Sequence, residues 1–197
     1  MNSDKKIEHI SNWIKEYVIS LQFQSPSLII GVSGGIDSAV TSTLCCKTGF
    51  KTIAVSMPIK QNASQHDLSL KHLDWLKSKF NNVDTMIIEL DDVFRSFENT
   101  MSDFDNKLAF ANSRSRLRMV TLYQIAQANN GIVVGTGNKV EDFGVGFYTK
   151  YGDGGVDISP IADCTKTDVW ELGKELKISE KIINAKPTDG LWDDGRT

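Results

Sequence analysis

Short apolar runs alternate with amphipathic stretches along the chain. The apolar runs predict buried strands at residues 28–32, 52–57, 85–90 and 131–135. Helical periodicity marks residues 7–21, 38–48, 68–80, 93–101, 112–129 and 165–178. Strands of this length separated by helices are typical of βαβ units. The pattern therefore predicts an α/β fold with a doubly wound, mostly parallel sheet and helices on both faces, of the Rossmann-like type.

Composition restricts the setting of this fold. The 197 residues predict one domain, 40% of them are hydrophobic and 24% charged, and the net charge is −3. This charge gives no general attraction to nucleic acid or to an anionic membrane. No run approaches the ~20 apolar residues of a membrane span, and the first ten residues lack the apolar core of a secretion signal. We therefore expect a cytoplasmic protein that binds neither nucleic acid nor membrane.

The cysteines and histidines predict no metal site. The three cysteines have no metal-ligand spacing and are interpreted as reduced structural thiols. The three histidines form no HxH or HxxxH pair, and we expect them on the surface or on helix faces. Neither residue type is a candidate nucleophile or ligand.

The first predicted strand runs into the sequence GVSGGIDS, residues 31–38. A helix N-terminus attracts phosphate through its unpaired N–H groups, and glycines let an anion approach the backbone. Asp37 suits such a site only if a divalent cation bridges it to the phosphates. The chain contains neither a GxxxxGK[ST] loop nor a GxGxxG fingerprint. We predict a polyphosphate site, the alternative being a tight turn capped by Ser and Asp.

A second feature follows the fourth predicted strand. Eight of the chain's 15 glycines lie between residues 131 and 155. Charged residues share this region, namely Glu141, Asp142, Lys150, Asp153 and Asp157. Long charged loops after buried strands are where α/β proteins place their chemistry. The region is therefore the second candidate part of an active site.

Several motifs carry a resemblance to a known family. GVSGGIDS resembles the PP-loop of the N-type ATP pyrophosphatases, which cleave ATP to AMP and pyrophosphate. From about residue 7 to the C-terminus, the chain is similar to the short, ammonia-dependent NAD synthetases. The similarity lies in NSRSRLRM (112–119), GTGNKVED (135–142), TKYGDGGVD (149–157), SPIADCTKTDV (159–169) and PTDGLW (187–192). It implies an adenine nucleotide alpha hydrolase-like fold and a ligase that amidates deamido-NAD through an adenylated nicotinate carboxylate.

The resemblance also implies roles for individual residues. ATP would be bound by Gly31, Val32, Ser33, Gly34, Gly35, Ile36, Asp37, Ser38, Met57, Thr136, Lys166 and Thr188. Deamido-NAD would be bound by Arg116, Lys150 and Asp157, whereas Arg114 and Arg118 on the opposite helix face are expected to be solvated or ion-paired. Mg²⁺ would be held by Asp37 and Glu141, with Asp142 as the alternative to Glu141. The catalytic residues would be Asp37, Lys166 and Asp157, with Asp157 or Asp153 orienting the ammonium ion or accepting its proton.

Alternatives remain open both for the assembly of the protein and for the reaction. The family is a homodimer with a shared substrate site, and the stripes at 7–21 and 112–129 are candidates for its interface or for the core. The family continues past the position of Thr197 with a basic C-terminal patch, which we expect this chain to lack. The alternatives to a synthetase are therefore a non-catalytic ATP-binding subunit or another PP-loop ligase.

Overall fold

A computed structural model describes residues 2–60 and 63–185. Its sheet contains β1 (Ser27–Gly31), β2 (Lys51–Ser56), β3 (Val83–Ile87) and β4 (Gly131–Val134). The strand order is β3-β2-β1-β4, and every neighbouring pair is parallel. All four predicted strands are confirmed, with ends displaced by no more than a few residues.

The six predicted helices are confirmed and a short seventh follows. They are α1 (Ser3–Ser20), α2 (Ile36–Lys47), α3 (Ala63–Lys79), α4 (Asp91–Thr100), α5 (Lys107–Ala128), α6 (Lys166–Glu175) and α7 (Glu180–Ile183). A 3₁₀ turn at Ser102–Phe104 and a π-helical turn at Lys139–Val145 complete the regular structure. These turns and α7 are too short to produce a periodic pattern in the sequence. No helix among the described residues is long and apolar enough to cross a bilayer.

Helices cover both faces of the sheet. Side chains alternate along a strand, so Leu28 and Ile30 face one layer while Ile29 faces the other. The first layer packs against α1, α2, α3 and α6, and the second against α4 and α5. The doubly wound α/β architecture is therefore confirmed.

The apolar stripe of α1 belongs to the core. Its members are Ile7, Ile10, Ile14 and Val18, each at most 8% exposed. They pack with β1, α2 and α6 in one cluster of buried side chains. Of the two interpretations left open for this stripe, the core is correct.

Strand order determines where a ligand can bind. From β1 the chain adds β2 and then β3 on one side, and it returns through α4 and α5 to place β4 on the other side. Loops therefore leave the carboxyl ends of β1 and β4 in opposite directions. In open parallel sheets, a crevice at such a switch point is the usual ligand site.

Candidate active site

The turn between β1 and α2 has the conformation that a phosphate site requires. Gly34 has a φ of 92°, which favours glycine, and α2 begins two residues later at Ile36. The Ser38 hydroxyl donates to the Gly35 carbonyl (3.0 Å) and accepts from the Ser33 N–H (3.2 Å). The Gly35 N–H donates to Ser33 Oγ at 3.3 Å. The loop is thus shaped before any anion arrives.

Two of the predicted turn residues have core side chains. Val32 is 3% and Ile36 7% exposed, and both belong to the cluster around β1. Any phosphate contact they make must come from their backbone. Because α2 starts at this turn, its N-terminal backbone dipoles are directed toward the same position.

Three distant segments bring charged side chains together beside this turn. Lys166 Nζ, at the start of α6, lies 2.5 Å from Asp37 Oδ2 and 2.9 Å from Glu141 Oε1. Burial lowers the pKa of Lys166, but the contacts with Asp37 and Glu141 raise it by more than burial lowers it. The net pKa is therefore above the ordinary lysine value. The lysine is therefore a cation held between two carboxylates.

This arrangement fits a divalent cation. Oxygens of Asp37 and Glu141 converge on one point, where the Lys166 ammonium already compensates their negative charge. Within residues 2–60 and 63–185, no set of three or more His, Cys, Asp or Glu side chains has a metal-binding arrangement. Mg²⁺ commonly uses one or two carboxylates and completes its shell with phosphate oxygens and water. A two-carboxylate site next to a phosphate turn is consistent with that preference.

The geometry favours Glu141 over Asp142 as the second ligand. The Asp142 carboxylate lies against Gly137, where no Cβ would fit. Burial and the neighbouring Asp153, Glu141 and Asp37 raise the pKa of Asp142 to about 6. Asp142 therefore adds negative charge near the site without sharing the lysine contact.

The other predicted ATP residues lie at neighbouring strand ends or beyond. Thr136 lies two residues after Val134, the last residue of β4, at the switch point. Met57 follows β2, and its carbonyl accepts a hydrogen bond from Arg118 Nε at 3.0 Å. Thr188 lies outside the described residues.

The loop over residues 149–157 docks on α5. Ser115 Oγ donates to Asp153 Oδ1 (2.7 Å), and Arg116 Nε donates to the Lys150 carbonyl (3.1 Å). The Lys150 ammonium lies 5.0 Å from the centre of the Tyr151 ring. The two cations predicted for the acid substrate are thus adjacent on one surface.

Asp157 is fixed separately from the lysine-bridged carboxylates. Its carboxylate accepts from the Val133 N–H at 2.7 Å and from the Tyr123 hydroxyl at 3.0 Å. Burial, and then Asp157 itself, raise the pKa of Tyr123 to about 12, so the phenol remains a hydrogen-bond donor. The predicted residues therefore form two groups, one around Asp37 and one along α5.

Some expectations about polar residues were wrong or incomplete. Arg114 is 8% exposed, with its guanidinium 5.9 Å from the centre of the Phe94 ring, so it is not solvated. His72 lies on a helix face, as expected, but this face of α3 is covered: the side chain is 2% exposed and shares a 3.0 Å hydrogen bond with Ser42 Oγ. Sequence reasoning also missed Asn138, which contacts Asp37 and caps the π-helical turn. The available signal was its position two residues before Val140 and three before Glu141, the spacing at which an asparagine caps a helical turn.

Together, the switch-point crevice, the glycine turn and the paired carboxylates define an α/β protein of the nucleotide-binding class. Residues 6–196 match the family model described as NAD synthase. The chain therefore belongs to the NAD synthase family, as its motifs predicted.

Individual proteins support this assignment. A relative from Carboxydothermus hydrogenoformans, named NH(3)-dependent NAD(+) synthetase, is 38% identical over 98% of this chain and 78% of its own length. The structure of an NMN synthetase from Francisella tularensis is 33% identical, with a TM-score of 0.89 over 98% of this chain and 78% of that one. A glutamine-dependent NAD+ synthetase from Acinetobacter baumannii, in complex with ADP, is 26% identical, with a TM-score of 0.82 over 95% of this chain and 36% of that one.

Proposed function

We propose that the protein is an ammonia-dependent NAD synthetase, a ligase that converts deamido-NAD to NAD while ATP is cleaved to AMP and pyrophosphate. The convergence of Asp37 and Glu141 beside the glycine turn carries this proposal. Family membership and the names of the relatives support it. Residues 31–38 would hold the triphosphate, together with Thr136 and the Met57 backbone.

Charge neutralisation is the main task of this site. Mg²⁺ held by Asp37 and Glu141 would stabilise the charge that develops on the departing pyrophosphate. Lys166 would exchange its carboxylate partners for phosphate oxygens when the nucleotide binds. Because like charges in a partly dry site repel by several kcal/mol, these cations permit a triphosphate and a second anionic substrate to meet.

The acid substrate would bind along α5. Arg116 and Lys150 would neutralise deamido-NAD, and the anchored Asp157 carboxylate would contact it or orient ammonium. The nicotinate oxygen would attack the α-phosphorus and expel pyrophosphate. Ammonia would then attack the carbonyl carbon and lose a proton to Asp157 or Asp153, and AMP would leave with one carboxylate oxygen. Positioning two reactants in this way replaces a bimolecular encounter with an effectively intramolecular one.

Product stoichiometry tests this proposal. Purified protein with ATP, Mg²⁺, deamido-NAD and ammonium should yield AMP, pyrophosphate and NAD in equal amounts, separated by ion-exchange chromatography. ADP and phosphate as products would refute the adenylation mechanism. ATP binding without any turnover would favour the non-catalytic subunit.

A second acid deserves a place in the same assay because of the similarity to an NMN synthetase. Nicotinate mononucleotide carries the same reacting carboxylate without the adenylate half of deamido-NAD. A higher kcat/KM for the mononucleotide would make it the substrate, and turnover with neither acid would favour another PP-loop ligase.

We also propose a homodimer formed through the outer face of α5. Leu108, Val120 and Tyr123 are 58%, 66% and 37% exposed on this helix. Arg116 lies on the same helix, so a partner seated here would adjoin the proposed acid site. Apolar side chains exposed along a helix favour association.

A further inference from the structure

We propose that Asn138 is a positioning residue that holds the two metal-binding carboxylates in one geometry before metal and nucleotide arrive. This inference rests on the proposed function, since it concerns the same Asp37 and Glu141. It assigns a role to a side chain that would itself touch neither ATP nor the acid.

Asn138 connects the two carboxylate-bearing segments directly. Its Nδ2 donates to Asp37 Oδ1 at 2.9 Å. Its Oδ1 accepts from the N–H groups of Val140 and Glu141 at 3.0 and 3.1 Å. One amide thereby fixes the rotation of the Asp37 carboxylate on α2 and the backbone from which Glu141 projects.

The two oxygens of Asp37 have different partners. Oδ1 receives the Asn138 amide, and Oδ2 contacts Lys166. If Lys166 moves to a phosphate, Oδ2 becomes available to a cation while Oδ1 stays held. Asn138 would thus be the constant partner and Lys166 the exchangeable one.

Burial makes this link stiff. Asn138 is 0% exposed, and an unsatisfied amide at such a position is costly, so its side chain has little freedom to rotate away. The adjacent Lys139 N–H donates to the Cys164 carbonyl at 2.9 Å, two residues before Lys166. The turn is therefore anchored to the segment that leads into α6.

Only an amide performs both tasks at this position. A carboxylate could accept from the two N–H groups but could not donate to Asp37, and it would repel that charge. Serine could cap the turn as well as asparagine does, but its side chain is too short to reach Asp37 at the same time. Asn138→Ser therefore separates capping from the link to Asp37 without adding charge.

Metal binding provides a readout independent of turnover. Mn²⁺ is titrated into protein saturated with α,β-methylene-ATP, and free Mn²⁺ is followed by electron paramagnetic resonance. Loss of a partner that orients a metal ligand typically costs 10–100-fold in affinity, and we expect Asn138→Ser to weaken Mn²⁺ binding by about that factor. The matched control is Asn106→Ser, because Asn106 caps α5 by accepting from the Ala109 N–H at 3.0 Å and has no link to the carboxylates. This control should bind Mn²⁺ as wild type does, while its change in Tm should be similar to that of Asn138→Ser.

A double-mutant cycle identifies the route of the effect. If Asn138 acts through Asp37, Asn138→Ser should cause little further loss in an Asp37→Asn background. Wild-type Mn²⁺ affinity in Asn138→Ser, beside a weakened Asp37→Asn, would overturn the positioning role and leave the proposed function intact. Fully additive losses would also overturn it. Wild-type affinity in Asp37→Asn would remove the proposed metal site and this inference with it.

Discussion

The ammonium of Lys166 occupies the position between two carboxylates that the proposed reaction reserves for a divalent cation. Lys166→Met should remove this competitor, so Mn²⁺ should bind about tenfold more tightly to the nucleotide-free protein, equivalent to about 1.4 kcal/mol. The same variant should lose AMP formation, because the phosphates lose their cation. Lys174→Met, an exposed lysine on the same helix, is the control and should change neither quantity. Unchanged or weaker Mn²⁺ binding in Lys166→Met would contradict the exchange.

A second prediction at the residue scale concerns His72. Burial lowers its pKa from 6.5 to about 4, although a backbone hydrogen bond at Ala39 opposes the shift. The unfolded chain therefore binds this proton below about pH 6.5, whereas the folded chain does so only near pH 4. The free energy of unfolding should thus fall as the pH falls through this window. Denaturant titrations at several pH values should give His72→Phe a weaker dependence of the free energy of unfolding on pH than wild type. The exposed His9→Gln is the control and should behave as wild type does. An unchanged pH dependence in His72→Phe would refute the assignment of this effect to His72.

Single residues also show what a sequence can and cannot indicate. Asp37 and Glu141 were predicted because their motifs carry a family resemblance, and the geometry brings them to one lysine. Asn138 lies inside a quoted motif, yet its role depends on a π-helical turn, which has no period to detect. The burial of Arg114 was not predicted, because a charged residue on a helix gives no sign of which face will be covered.

Among the elements, the start of α6 connects the N-terminal helix α1 to the proposed site, because it contacts both. Asp168 accepts from the Thr165 N–H and hydroxyl in a capping box and pairs with Lys6 on α1. Lys6, and then the Thr165 groups, lower the pKa of Asp168 to about 2. Asp168→Ala should therefore reduce the free energy of unfolding by about 1–2 kcal/mol at neutral pH. This loss should shrink as the pH falls from 3.8 through about 2, because wild type then also loses the charge.

Urea titration measures this difference, and Asp84→Ala is its control. The pair between Lys51 and Asp84 has side chains 50% and 65% exposed, where ion pairs contribute about 0–1 kcal/mol. An equal loss in the two variants would contradict the role assigned to the α6 cap.

Helix boundaries were the least predictable part of the elements. The pattern placed the start of α5 near residue 112, but the helix begins at Lys107. Asn106 caps it there, and the first apolar residues, Leu108 and Phe110, are spaced by two rather than by three or four. The cap decided the boundary before the apolar period became regular.

At the scale of the whole molecule, the sheet was predictable because apolar strands separated by helices allow few arrangements. The position of β4 beside β1 was not, since strand order depends on the path of the long return through α4 and α5. Side-chain burial also assigned the α1 stripe to the core. Of the two helices predicted as dimer surfaces, only α5 is retained in the proposal, through its exposed outer face, because its buried side chains Met119, Leu122 and Ala126 also belong to the core.

This proposal predicts a change in assembly. Val120→Glu places a charge on the exposed face of α5 and should convert a dimer to a monomer in sedimentation velocity. Ile19→Glu is the matched control, because Ile19 is 60% exposed on α1 and its replacement should leave the dimer intact. A monomeric wild type, or a dimer that survives Val120→Glu, would refute an α5 interface.

A crystal structure with Mg²⁺ and α,β-methylene-ATP would show whether the glycine turn and the two carboxylates hold the metal-bound triphosphate. We expect the triphosphate against residues 31–38, the metal ion on Asp37 and Glu141, and Lys166 moved from those carboxylates to a phosphate oxygen. A triphosphate bound elsewhere, with Asp37 and Glu141 still paired to Lys166, would contradict it.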